Sequence, residues 1–341
     1  VVQAAGPAHQ VLHRTRRQQV SAGIAYGDAE VIGTADHAAV AQVLHHRAVA
    51  AHAHGGIAGH ATDRLFGSRP EDAADVVERW AGRCRLTMTL HDVPQPSDGT
   101  MFARRRAAYA RMIAAADRVV VNSRHEQHLM DEYLPGSAQA HAIALGARTG
   151  IPPVGAVIGG SDLRVLIAGF IYPGKGHRPA VIAAARAAEV LRERGDGPEV
   201  VAVRAIGAPS RGHEADVEQL REEAAALGVA VEVTGFLGDD AFARELAAPG
   251  IPLAAHEHVS ASRSMLDWVE AGRRPLVVDS RYAAEMDELR PGTLARYRAD
   301  DLADRLVDAW RDPASTRLAA GASLAPTLDD VAAAYVRWWA A

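Results

Sequence analysis

From Leu163 onward, short apolar runs alternate with longer Ala-rich stretches, and few folds accept that order. Leu163–Ala168 predicts a strand, Arg178–Arg194 a helix, Glu199–Ile206 a strand and Ala215–Leu227 a helix. The alternation continues with a strand at Val229–Thr234, a helix at Asp240–Ala247, a strand at Ile251–Ala255, a helix at Ser264–Ala271 and a strand at Leu276–Asp279. The strand runs are short and largely apolar, as in parallel strands covered by helices on both faces. The first half carries the same pattern more loosely. Val1–Ala5, Ala48–His54, Leu86–His91 and Arg118–Asn122 predict strands, and Glu71–Ala81 and Met101–Ala116 predict helices. The second of these helices is basic on one face through Arg104, Arg105, Arg106 and Arg111, most simply a solvated face. Ser123 stands at an N-cap position, so a helix opens there. Residues 7 to 47 give no readable pattern.

Gly146–Asp162 holds five glycines and two prolines, which is linker chemistry. With 341 residues, two domains are expected. The expectation is an α/β protein of two Rossmann-like doubly wound domains facing a cleft, residues 1–150 and 151–325. Residues 326–341, with a helix over Thr327–Trp339, are expected to cross back to the first domain.

Charge excludes several classes. Lys and Arg number 37 against 42 Asp and Glu, a net charge of -5, so the basic field of a nucleic-acid binder is missing. Hydrophobic residues at 48% support a packed core. A single cysteine, Cys84, leaves no intramolecular disulfide and no cysteine metal cluster. No apolar run approaches about 18 residues, so no transmembrane segment is expected. Val1-Val2-Gln3-Ala4-Ala5 lacks the basic start of a secretory signal, so a cytoplasmic location is expected. A homo-oligomer is compatible with all of this.

The segment Ala168-Gly169-Phe170-Ile171-Tyr172-Pro173-Gly174-Lys175-Gly176-His177 links a strand to a helix. A glycine turn at a strand's carboxyl end lets backbone N–H groups approach a phosphate, and a lysine there is a compact charge for a diphosphate. The competing reading is a tight turn with a solvated lysine. The segment is neither a Walker loop nor a Gly-x-Gly-x-x-Gly fingerprint. His256 and His258 share a strand face and invite a metal, but no third ligand stands at fixed spacing. Neither a Gly-x-Ser-x-Gly elbow nor a reactive cysteine context accompanies His91-Asp92, which disfavours hydrolase chemistry.

The glycine–lysine loop resembles the signature of glycosyltransferase family 4, the retaining nucleotide-sugar transferases of GT-B fold. Thr89-Leu90-His91-Asp92, Asp117–Ser123, Val231–Leu237 and Ala271–Val278 resemble further motifs of that family, in its order, over roughly residues 80 to 310. The resemblance implies a metal-independent hexosyltransferase without a cofactor. It would take a nucleotide-sugar donor, with mannose or glucose favoured, and a carbohydrate acceptor. It implies that Lys175 holds the donor diphosphate, that Gly169, Phe170 and Gly174 bind the donor beside it and that Gly235, Phe236 and Leu237 border the base. His91 would face the donor sugar near its 6-hydroxyl, with Ser123, Arg124, Asp92 and Asp63 at the acceptor side or cleft.

Two positions depart from the family. Phe170 stands where the family carries an Arg, and counting back from Pro275 puts Ser260 and Trp268 at its Glu-x7-Glu pair. Ser260, Ala261, Ser262 and Ser264 would instead open a helix toward the donor. Arg263 would replace the missing charge, making it catalytic beside His91 and Lys175, and His256 and His258 would contact the donor. An epimerase or phosphorylase of the same fold, or a sugar-binding relative without chemistry, are the alternatives.

Overall fold

The computed structural model describes residues 22–26, 29–33, 56–61, 69–83, 85–136, 140–149, 161–256, 259 and 261–340. They form two compact units. The first takes the chain through Asn122, Glu126–Ala144 and the residues from Val331; the second takes Ser123–His125 and Leu145–Asp330. None of the described helices is long and apolar enough to cross a membrane.

The second unit holds one parallel sheet made of β7 (Leu163–Ala168), β8 (Val201–Ile206), β9 (Ala230–Val233), β10 (Ile251–Ala254), β11 (Leu276–Val278) and β12 (Ala295–Tyr297). Their order is β12-β11-β10-β7-β8-β9. From β7 the chain lays two strands to one side, then returns to β7 and lays three to the other. That is the doubly wound order, with its reversal between β7 and β10. The helices between strands are α4 (His177–Glu193), α5 (Glu214–Ala226), α6 (Asp239–Ala247), α7 (Arg263–Glu270) and α8 (Arg281–Leu289), and α9 (Leu302–Arg311) follows the last strand. In α4, Ala180, Val181, Ala184, Ala187, Ala188 and Leu191 recur at helical spacing and pack with Leu163, Val165 and Ile167 of β7. Small side chains on that face let the helix lie close to the sheet. Each fully buried Leu, Ile or Val contributes about 1.5–3 kcal/mol.

The first unit orders its strands β1 (Ala22–Tyr26), β2 (Ala29–Gly33), β3 (Gly56–Ala61), β4 (Arg85–Leu90), β5 (Arg118–Val121) and β6 (His141–Ala142) in sequence across one sheet. β1 and β2 pair antiparallel as a hairpin, and the remaining pairs are parallel. The strands expected at Val1–Ala5 and Ala48–His54 fall outside the described residues. β3, which no strand was expected to occupy, pairs from Gly56 opposite Arg85 to Ala61 opposite Leu90. Its two glycines weaken its own strand preference, and ladders on both sides supply what the sequence lacks.

Helices α1 (Pro70–Ala81) and α2 (Phe102–Ala115) pack together. The basic face of α2 meets carboxylates: Arg104 pairs with Glu71 at 2.9 Å, and Arg111 with Asp75 at 2.5 Å and Glu78 at 2.6 Å. These exposed pairs set register more than they stabilise. After α3 (Arg124–Tyr133) and the whole second unit, α10 (Leu328–Ala340) supplies Val331, Ala332, Tyr335 and Trp338, which pack on Val120 of β5 and Ile143. Thr89 and Tyr335 share a buried hydrogen bond of 2.9 Å, and Arg118 lies 4.5 Å from the Trp338 ring centroid while donating to its carbonyl. Trp338→Ala is therefore expected to lower stability by about 3–5 kcal/mol in urea unfolding, and a near-neutral result would show that α10 does not hold this unit together.

Candidate functional site

Loops leaving the carboxyl ends of two strands on either side of a doubly wound reversal diverge and leave room between them. In the second unit those loops are the glycine–lysine segment after β7 and the segment after β10. Gly169 turns the chain with φ 102°, and Gly174 and Gly176 follow with φ 85° and 97°. The loop is pinned where Ile171 N–H donates to the Ala208 carbonyl at 3.0 Å. Gly176 is required by close approach as well, since a Cβ there would lie 2.3 Å from the Ala255 carbonyl oxygen.

That geometry turns Lys175 inward. Its side chain is 5% exposed, with Nζ 2.5 Å from His256 Nε2 and 3.0 Å from Ser264 Oγ. Gly169 lies against the ammonium, where a Cβ would stand 3.1 Å from Nζ. Burial pulls the Lys175 pKa down to about 8, partly opposed by Asp267. Burial, with Lys175 adding to it, lowers His177 to about 4, and the same causes with His177 hold His256 well below its ordinary range. At neutral pH the cluster is one ammonium between two neutral imidazoles. Among the described residues, both ring nitrogens of His177 and Nδ1 of His256 are buried without a hydrogen-bond partner. Orphaned polar atoms beside a buried cation mark a place built for something to bind.

Ser262 caps α7 by accepting from Met265 N–H at 3.1 Å, and its own N–H donates to the Tyr282 hydroxyl at 3.0 Å. Ser264 sits in the first turn of that helix and Ala261 is half-buried just before it. Arg263 turns to Asp267 at 2.9 Å and to Glu270, and Arg148 joins the same two carboxylates at 2.9 and 2.7 Å. Its charge is balanced within that network. Phe170 and Phe236 are 51% and 84% exposed, Gly235 takes φ 74°, and Leu237 packs against the core. His258, Ser260 and Asp63 fall outside the described residues.

The first unit carries a second cluster where β4 and β5 end. Asn122 donates through its amide to the Leu90 carbonyl at 3.1 Å and to His91 Nδ1 at 2.7 Å. Because Nδ1 accepts, the ring proton sits on Nε2, which faces His60 Nδ1 at 3.1 Å. Tyr109 donates to the His91 carbonyl at 2.6 Å, and Arg105 binds both the Asp92 carbonyl and carboxylate. Asp92 takes a left-handed φ of 59°, a turn fixed by its N–H donating to Glu126 at 3.1 Å. The other oxygen of Glu126 accepts from Asn122 N–H at 2.6 Å. Burial raises the Glu126 pKa to about 8 against those backbone donors, with Asp92 raising it further. Ser123, fully buried, and Arg124 count with the second unit, where Glu285 accepts the N–H groups of Arg124 and His125 at 2.8 and 2.9 Å.

Sequence reading passed over His177, Asn122, Glu126, Glu285 and His60. Only Glu126 left a local signal, as the last residue of Ser123-Arg124-His125-Glu126, a capping-box pattern. Among the described residues no three His, Cys, Asp or Glu side chains gather as a metal site.

In fold the chain is similar to HepE of Anabaena in complex with UDP and glucose, with a TM-score of 0.59 and 18% identity over 88% of this chain and 78% of that one. It is similar too to a UDP-forming α,α-trehalose-phosphate synthase from Burkholderia xenovorans in complex with glucose-6-phosphate, with a TM-score of 0.54 and 12% identity over 87% of this chain and 75% of that one. A third likeness is to TarM of S. aureus in complex with UDP, fondaparinux and α-GlcNAc-glycerol, with a TM-score of 0.55 and 10% identity over 88% of this chain and 54% of that one. No protein-family model and no curated protein matches the sequence. The fold is the α/β arrangement of two Rossmann-like units found in GT-B glycosyltransferases.

Two outcomes follow from this geometry. Gly176→Ala forces a side chain onto a backbone carbonyl at positive φ, so its melting temperature is expected to fall by the equivalent of more than about 2 kcal/mol. Glu126 titrates higher folded than unfolded, so the stability it contributes is full below about 4.5, its ordinary value, and is lost as pH rises through about 8. The difference in unfolding free energy between the parent and Glu126→Gln, measured from pH 5 to 9, should therefore fall across that range, the histidines and Lys175 acting alike in both.

Proposed function

We propose that this chain is a retaining glycosyltransferase that moves a hexose from a nucleoside diphosphate sugar to an acceptor hydroxyl of a saccharide or small glycoside. The observation that carries the reading is the buried ammonium of Lys175 at the β7–β10 reversal, ringed by polar atoms that have no partner. UDP is the first nucleotide to try, because HepE and TarM have been seen with it, and glucose comes ahead of mannose because HepE has been seen with glucose.

In this reading Lys175 holds the diphosphate, Gly174 brings a backbone N–H to it, Gly169, whose own N–H is spent on the Ile206 carbonyl, keeps the approach clear of a side chain, and the Gly235-Phe236-Leu237 segment borders the base. The bond from the anomeric carbon to the phosphate oxygen breaks, and its electron pair leaves with the diphosphate. The acceptor oxygen bonds to the same face of the sugar, and its proton passes to the departing phosphate oxygen. Such a reaction needs charge stabilisation where the leaving group develops, which the ammonium supplies without a metal. His91 would meet a sugar hydroxyl through the Nε2–H that His60 holds in this structure, the hydroxyl displacing His60. Arg263, already balanced by Asp267 and Glu270, positions the α7 entry rather than meeting the phosphate.

A second reading, a nucleotide-sugar binder without transfer, draws on the same balanced Arg263, which leaves Lys175 without a second cation from α7. Release of UDP from UDP-glucose, dependent on an added saccharide acceptor, separates the two.

UDP or UDP-glucose at about a hundred times its dissociation constant is expected to stabilise the protein by about 2.7 kcal/mol in a thermal melt. Lys175→Ala is expected to remove that shift and to cut turnover by about 100-fold or more, with EDTA leaving the parent rate unchanged. An unshifted melt with UDP, UDP-glucose and GDP-mannose alike would end the proposal.

A further inference from the structure

Lys175 and His177 flank Gly176 at the entry to α4, and His256 stands two residues beyond the end of β10. All three side chains are buried, at 5%, 4% and 7% exposure. An ammonium only donates, so His256 Nε2 accepts from Lys175 and the single proton of the neutral ring sits on Nδ1. That N–H points to no partner, and neither do the two nitrogens of His177. Among the described residues, few charged groups act on the cluster. Asp267, on α7, acts on Lys175, while Lys175 and His177 act on His256. Arg263 on the same helix is occupied by Asp267 and Glu270, and Ser262, Ser264 and Tyr282 bring neutral hydroxyls.

We propose that a diphosphate binding at Lys175 draws one proton from solvent onto His256, so that the ligand meets an ammonium and an imidazolium together. The inference rests on the nucleotide-sugar reading of this site. Before binding, Lys175 spends a donor on a neutral ring. The arriving anion takes over that donor, which frees the Nε2 lone pair beside two new negative charges. Burial and the neighbouring cation keep His256 neutral in the empty site, and the diphosphate reverses the sign of the field that does so. The lone pair takes its proton from the buffer, and the proton returns when the nucleotide leaves. His256 thereby supplies the second positive charge that neither Phe170 nor Arg263 provides.

Proton uptake makes affinity fall by about tenfold per pH unit wherever one proton is taken up. His256 contributes that slope around neutrality. Lys175, with its empty-site pKa of about 8, contributes a second slope above it. The test is calorimetric titration of the full chain with UDP at about pH 7 and about pH 9, in pairs of buffers with different ionisation heats. At pH 7 the observed heat is expected to depend on the buffer, with uptake of about one proton per UDP. His256→Gln is expected to bind UDP more weakly, to lose the uptake at pH 7 and to keep the uptake at pH 9. UDP binding with buffer-independent heat at pH 7 would overturn the proton uptake while leaving the diphosphate site intact. Uptake that persists at pH 7 in His256→Gln would overturn His256 as its seat. Absence of UDP binding would overturn the site and the inference together. Should His256→Gln fail to fold, the buffer dependence of the parent protein still decides.

Discussion

Taking an ammonium out of water costs several kcal/mol, and a chain that does so must offset the cost with acceptors held in place. Around Lys175 those acceptors are one imidazole nitrogen and one serine hydroxyl, from residues 81 and 89 positions further along. They arrive there because β10 pairs directly with β7, Ile251 opposite Val165, so their following loops share one end of the sheet. The order of strands, the glycine at the α4 entry and the cap of α7 all converge on that one nitrogen. A shift of the β7–β10 register would leave the charge buried and unanswered.

The first unit buries a different titratable group, an acid whose pKa burial raises to about 8. Glu126 is fully buried, and two backbone N–H groups from different strand ends, Asp92 and Asn122, close on its two oxygens. One carboxylate thus ties β4 to β5 where both stop. Asn122 in turn dictates the His91 tautomer. The orientation of the His91 imidazole is fixed by Asn122, whose own backbone is held by Glu126, an arrangement that holds a catalytic or binding ring with little freedom.

What could be read from the sequence was what depends on neighbours along the chain. Leu163–Ala168 is a strand to the residue, because an apolar run broken only by Arg164 and bounded by Asp162 and Gly169 leaves little choice of ends. The Lys175 loop was visible for the same reason: glycine, lysine and helix entry lie within ten residues. The hairpin of β1 and β2 was overlooked, although Gly27-Asp28 between two apolar runs is a hairpin signal. Helices α8 and α9 and strand β12 were not anticipated; each is short, and their apolar positions make sense only once β11 is there to pack against. The pairing of Lys175 with His256, of His60 with His91 and of Glu126 with Asp92 depends on strand order and register, which no local pattern encodes. Arg263 shows the converse. Its place among small residues that open a helix pointed to an anion, yet Asp267 and Glu270, one and two turns further along the helix, satisfy it.

Val120 and Ile143 are covered by Val331, Ala332, Tyr335 and Trp338, and all of Leu145–Asp330 comes between. On the ribosome, therefore, the lobe whose strands emerge earlier stays unfinished until the later one has already been translated. Its apolar flank waits bare through the synthesis of nearly two hundred residues, the interval in which a nascent chain is most exposed to aggregation and to chaperones.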